Sequence, residues 1–252
     1  MKVYTIATQK GGVGKTTTAL ALSSILQARD NRVLFIDTEP SRNASYVYRA
    51  DTENKPTLYD VMFENSVSPM DAIQHTEYGD IIASDPRMSK ADGLLMADGD
   101  GAFRLQDVVD DIEGYDYVVM DTGPTLNHLL FAALVATDEV IVPVTTEFFA
   151  YTGLVELDET IKRIQKRPNK GLKVAGLLMV MYRANTRLSK DVTEILPETA
   201  KRMNTKVFES KIRVCQKIPE AQARFMDLGK YAYNSNAMID YRHFVDELTG
   251  ED

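Results

Sequence analysis

Lys10-Gly11-Gly12-Val13-Gly14-Lys15-Thr16-Thr17 decides the reading of this 252-residue chain. The stretch follows a β-branched run, Val3-Tyr4-Thr5-Ile6-Ala7-Thr8, and precedes an Ala/Leu-rich segment that predicts a helix over residues 16–29. Strand, glycine-rich loop and helix, in that order, form the context of a phosphate-binding loop. Gly11, Gly12 and Gly14 let the backbone N–H groups, that of Val13 among them, turn toward phosphate oxygens. The helix beginning near Gly14 places a positive dipole end under the same anion. Lys15 then reaches the β- and γ-phosphates of a nucleotide and the Thr16 hydroxyl ligates Mg²⁺, with Thr17 carrying the loop into the helix. The competing reading is a structural turn that imitates the pattern.

The rest of the composition narrows the chemistry. A single cysteine, Cys215, excludes an intrachain disulfide and a cysteine-based metal site. His75, His128 and His243 are scattered without ligand spacing and read as surface or satisfied core residues. No signal peptide is visible after Lys2, and the longest apolar stretch, residues 129–136, is too short to span a bilayer. These features predict a protein of the reducing cytoplasm. The net charge of −8 hides a steep split: residues 160–224 hold 16 Lys/Arg against 5 Asp/Glu, leaving 13 basic and 32 acidic residues elsewhere. Such a split points to one face suited to a polyanion, the alternative being helix faces that happen to be basic.

Apolar runs alternate with helical segments. Strands are predicted at residues 32–37, 80–84, 115–121, 139–144 and 172–181, each rich in Val, Ile or Leu with little polar alternation. Such runs suit strands buried on both faces of a parallel sheet. Helices are predicted at 103–112, 127–136, 152–166, 188–203 and 236–248, and residues 85–101 read as a loop with a short helix. The expectation is an α/β fold: a doubly wound, mostly parallel sheet flanked by helices, in one domain over residues 1–252, with ligands at the carboxyl ends of the strands.

Lys10, just before the first glycine, gives the loop a second lysine. With it the sequence resembles the ParA/MinD family of deviant Walker A P-loop ATPases, and the ParA/Soj-type DNA-partitioning members in particular. The resemblance implies that Lys10 reaches across a homodimer interface to the partner's ATP; the alternative is a solvated lysine. Asp37-Thr38-Glu39-Pro40-Ser41-Arg42-Asn43 resembles the family's Asp-x-Asp-Pro-Gln-Gly-Asn switch. Asp37 matches the acid that holds Mg²⁺-bound water, and Glu39 stands where the family has the Asp that positions the attacking water. The stem is thus one methylene longer, a displacement that matters because phosphoryl transfer depends on positioning. Residues 115–124 resemble the Walker B region. Asp121 is expected to approach Mg²⁺ through water, and Gly123 occupies the first of two positions where the family has prolines. Residues 142–150 resemble the family's stretch after its fifth strand, and residues 176–182 resemble another family strand.

In compact ParA proteins, basic residues in two stretches bind DNA backbone without reading sequence. The corresponding residues here are Arg183, Arg187 and Lys190, then Lys211, Arg213, Lys217 and Arg224. Arg213-Val214-Cys215 replaces the family's Pro-Arg-Asn, so either the register has slipped or the contact and the base pocket are remodelled. Contacts through phosphates imply salt-dependent, sequence-tolerant binding. The resemblance therefore implies a nucleoid-associated, Mg²⁺-dependent partition ATPase. Its ATP-bound sandwich dimer would bind nonspecific DNA and release it on slow hydrolysis, stimulated by a centromere-binding, ParB-like partner. One alternative is a ParA-like ATPase positioning a protein cargo on the nucleoid. Another is a MinD-like membrane-surface ATPase, which requires a basic amphipathic C-terminal helix. Residues 240–252 are acidic instead.

Overall fold

The computed structural model describes residues 1–64, 66–146 and 150–250, with backbone only at 150–152. The elements in chain order are β1 (Lys2–Ile6), α1 (Lys15–Gln27), β2 (Val33–Asp37), α2 (Asn43–Val47), α3 (Leu58–Phe63), α4 (Pro69–Ala72), β3 (Ile73–Thr76) and β4 (Gly79–Ile82). Then follow α5 (Ala91–Ala97), α6 (Arg104–Asp110), β5 (Tyr117–Asp121), α7 (His128–Val135), β6 (Glu139–Thr145) and α8 (Ala150–Lys166). The chain closes with β7 (Lys173–Tyr182), α9 (Arg187–Arg202), β8 (Val207–Arg213), α10 (Lys217–Gln222), α11 (Leu228–Ala232) and α12 (Asn236–Thr249). Residues 147–149, the end of one stretch that resembles the family, and the acidic pair 251–252 lie outside the described residues.

Eight strands form one sheet in the order β3-β4-β2-β5-β1-β6-β7-β8. Every neighbouring pair is parallel except the β3–β4 hairpin. The central strands alternate between two buried faces, as their period of two demands. Ile6, Phe35, Val119, Ile141 and Leu178 face one core with α1 and α12. Leu34, Ile36, Val118 and Met120 face a second core, and Val140, Val142, Leu177 and Met179 a third, on the opposite side. Apolar residues at both parities explain why these strands read as unbroken hydrophobic runs.

The doubly wound, mostly parallel sheet agrees with the sequence reading, and two strands add to it. β3, Ile-Gln-His-Thr, pairs antiparallel with β4 through a tight turn in which Gly79 has φ 115°. β8 closes the other edge. The segment read as a loop with a short helix is a 3₁₀ turn at Pro86–Lys90 running into α5. No described helix is long and apolar enough to cross a membrane. In α12, Met238, Tyr241, Phe244 and Val245 are buried, and Phe244 meets Phe208 of β8 edge-on at 4.9 Å between ring centroids. The apolar face that a surface-binding helix would offer to lipid is therefore taken up by the core.

Candidate functional site

β1 lies in the middle of the sheet, and the chain turns back at its carboxyl end into α1. Gly12 and Gly14 have φ 72° and 81°, left-handed conformations that glycine adopts without a Cβ clash. Gly14 caps α1 with no side-chain hydrogen bond and no acid in the first turn. The first amides of α1 are thus left for an external anion. The Lys15 side chain is buried, and its Nζ donates to the Lys10 carbonyl at 3.1 Å. Burial lowers the Lys15 pKa, partly offset by Asp121 and Glu39.

Strand register then assembles the acids. Asp121 ends β5 opposite Ile6 of β1 on one side and Asp37 of β2 on the other. Asp37 is fully buried. Its Oδ2 accepts from the Ser45 amide at 2.9 Å and the Ser45 hydroxyl at 2.7 Å, and its Oδ1 from the Glu39 amide at 3.0 Å. Burial nevertheless pushes its pKa up to about 6. Asp121 is also buried, yet neither carboxylate oxygen has a hydrogen bond of ordinary geometry. Burial first, and then the Asp37 charge, push it up to about 8, although the Thr16 hydroxyl and Lys15 pull the other way.

An unpartnered, buried carboxylate beside the phosphate loop is what a cation would satisfy. Among the described residues no cluster of three or more His, Cys, Asp or Glu suits a metal. Such an ion would complete its shell with water and phosphate, the habit of Mg²⁺. Asp121, Asp37 and Thr16 fit that group.

The loop opens into a cavity of about 750 Å³, the size of a small-ligand site. Gly11 to Thr17, Glu39 and Pro124 line one end; Met181, Val214, Cys215, Ile218, Pro219 and Phe225 line the other. Gln222 Nε2 donates to Thr17 Oγ1 at 2.9 Å, tying α10 to the loop. Phe225 packs on Tyr46 of α2 at 5.2 Å between ring centroids, and Arg42 donates to the Tyr46 hydroxyl at 2.6 Å. The switch segment and the far wall are therefore in contact.

The family model described as an AAA domain matches residues 1–174. The chromosome partitioning protein ParA of Caulobacter vibrioides is 38% identical over 200 residues, covering 77% of this chain and 74% of its own. The sporulation initiation inhibitor protein Soj of Bacillus subtilis is 33% identical over 253 residues, 98% of each. The chain belongs to the ParA/Soj-type P-loop ATPases. Solved structures with this fold include apo McdA of Cyanothece, with TM-score 0.88 and 25% identity over 99% of this chain and 100% of that one. Another is the cobyrinic acid a,c-diamide synthase of Mycobacterium smegmatis with bound ADP and magnesium, with TM-score 0.82 and 27% identity over 98% and 93%.

In this ParA-type chain Arg183 follows β7, Arg187 and Lys190 lie in the first turn of α9, Lys211 and Arg213 lie near the end of β8, Lys217 opens α10 and Arg224 follows it. Arg183, Arg187 and Lys190 are exposed and, among the described residues, no carboxylate pairs with them. Lys211 Nζ lies 4.9 Å from the centroid of the Tyr182 ring, and Arg224 lies against Tyr231. Two others are engaged: Arg213 holds Asp240 with Nη2 at 2.6 Å, and Lys217 holds Glu220 at 2.9 Å. Arg183 and Arg213 also line the nucleotide-sized cavity. Arg213, Val214 and Cys215, which replace the family's Pro-Arg-Asn, all line that cavity.

The sequence reading passed over Ser45, whose side chain anchors Asp37 and also accepts from the Ser84 amide at 3.0 Å. It passed over Thr38 and Thr122 as well, which donate to the carbonyls of Asp121 and Ile6 at 2.8 and 2.7 Å. Ser/Thr side chains bonded to distant backbone leave no local spacing to find.

Proposed function

We propose that this protein is a cytoplasmic, nucleoid-associated DNA-partition ATPase that works as a nucleotide-switched homodimer. Gly11–Thr17 and the amides of α1 bind the ATP phosphates, with Lys15 across the β- and γ-positions. Thr16, Asp37 and Asp121 hold Mg²⁺ and its water, and the metal neutralises the phosphate charge when bound. Glu39 orients the attacking water, and Lys10 bridges to the second subunit's nucleotide. The ATP-bound dimer offers Arg183, Arg187, Lys190, Lys211 and Arg224 to nonspecific DNA, with Arg213 and Lys217 at the margin. A centromere-binding, ParB-like protein stimulates hydrolysis and release.

One observation carries the reading. The phosphate loop and Arg183 line a single cavity, and the switch helix touches the wall beside Arg224 through Tyr46 and Phe225. A change at the γ-phosphate thus has a packed route to the basic face. The test is equilibrium binding of a fluorescent ATP analogue with and without Mg²⁺, together with sedimentation of the same samples. Mg²⁺-dependent binding that converts monomer to dimer, lost in Lys15→Ala, supports the reading. Binding without any change of mass overturns the switched dimer.

A further inference from the structure

Gly123 follows Thr122 just beyond β5, and its φ is not in the left-handed region. The backbone there therefore accepts any L-residue, and glycine needs another reason. A Cβ built at this position would lie 3.2 Å from Glu39 Oε2 and 3.6 Å from both Cδ and Oε1. Outside the adjoining residues, the three nearest atoms to it all belong to that one carboxylate. The missing side chain leaves the Glu39 carboxylate a few tenths of an ångström that a Cβ would take from it.

Glu39 is half-buried, lines the nucleotide-sized cavity with Lys15, and is drawn by that ammonium. Its backbone cannot retreat freely, because its amide donates to the buried Asp37 carboxylate and its carbonyl accepts from the Arg42 amide at 2.9 Å. With the main chain held, the stem length decides where the carboxylate ends. A shorter acid would stop short of residue 123, whereas glutamate reaches it.

We propose that Gly123 is a positioning residue for hydrolysis, forming with Glu39 a matched pair in which the longer acid and the missing side chain require each other. The inference rests on the reading of Glu39 as the residue that orients water. A Cβ at 123 displaces the carboxylate by a few tenths of an ångström while leaving the phosphate loop, Thr16 and Asp121 in place. Proline adds two more ring atoms and displaces it further.

The experiment is a double-mutant cycle of Glu39→Asp with Gly123→Ala, repeated with Gly123→Pro, read by steady-state ATP hydrolysis, nucleotide affinity and thermal denaturation. Gly123→Ala is expected to lower kcat by about tenfold, since ångström-scale misplacement costs up to about 10²-fold. Nucleotide Kd and melting temperature should stay at the wild-type values, a split that a merely structural role would not give. In the Glu39→Asp background the same substitution should change kcat by less than about twofold, because the shorter acid's carboxylate stops short of the new side chain. A crystal structure of nucleotide-free Gly123→Ala should show the Glu39 carboxylate moved and its backbone unmoved. Equal losses in both backgrounds, or a carboxylate in its original place, overturn the pairing. Should Gly123→Pro fail to fold, the alanine cycle decides alone. Glu39→Gln separates the two layers: hydrolysis at the wild-type rate in that variant removes the water-positioning reading itself. Loss of hydrolysis in Glu39→Gln with no effect of Gly123→Ala removes only the present inference.

Discussion

Asp121→Asn should stabilise the nucleotide-free protein, and more so as the pH rises. The folded pKa of Asp121 is pushed up to about 8 by burial and by Asp37, against a carboxylate value near 4 in the unfolded chain. Between those values the folded state keeps a proton that the unfolded state has lost, so rising pH favours unfolding. The penalty is absent near pH 4, grows across the window and is complete above about pH 8. Asparagine has the shape of the protonated acid and never bears the charge. Each pKa unit is about 1.4 kcal/mol; even half of the shift, two units, is about 3 kcal/mol, or roughly 6–12 °C for a domain of this size. The assay is thermal denaturation of wild type and variant in parallel at pH 5, 6, 7 and 8 without nucleotide or Mg²⁺. The difference between them should be small at pH 5 and largest at pH 8; distant carboxylates cancel in the comparison, while relief of Asp37 from the neighbouring charge adds in the same direction. A variant less stable than wild type at pH 8 would refute the picture of Asp121 as a buried, unpartnered charge. The same substitution should weaken Mg²⁺-dependent ATP binding, so stability and function move in opposite directions.

Three further outcomes are expected. Ser45→Ala removes the hydroxyl hydrogen bond to buried Asp37 and the acceptor of the Ser84 amide, and should destabilise the protein by about 1–3 kcal/mol, measured by urea denaturation; a change below about 0.5 kcal/mol would contradict that anchoring role. Lys10→Ala should abolish ATP-dependent dimerisation while nucleotide affinity stays within about tenfold of wild type, followed by sedimentation and analogue titration. Replacing Arg183, Arg187 and Lys190 together by alanine should reduce the salt dependence of DNA binding by about 0.9 in log–log slope per lost phosphate contact. An unchanged slope would place the contact elsewhere.

The core of the fold was legible because the central strands are apolar at both parities, and a run such as Val33–Asp37 admits few other readings. The edges were not. β8 reads Val-Phe-Glu-Ser-Lys-Ile-Arg, and only Phe208 and Ile212 are buried, so its polar half resembles a loop in a basic region. β3 has Gln74 buried, with its side chain accepting from the Asp51 amide at 2.8 Å, a tertiary role that local pattern does not announce. The loop was legible from the spacing of its own glycines and lysine, whereas Asp37, Glu39 and Asp121 were marked by the resemblance to the family's switch and Walker B segments. Ser45 was not, because its partner Asp37 is reached only when α2 folds back over β2. Glu39 and Gly123 each stood out as departures from the family's pattern, yet only the structure brings the two against each other.

Electrophoretic mobility of nonspecific duplex DNA with ATP, ADP or no nucleotide, across a salt series, tests the central claim most directly. The account predicts a shift that needs ATP, weakens steeply with salt and is absent with Lys15→Ala. Binding that is indifferent to nucleotide, or no binding at low salt with ATP present, would contradict it.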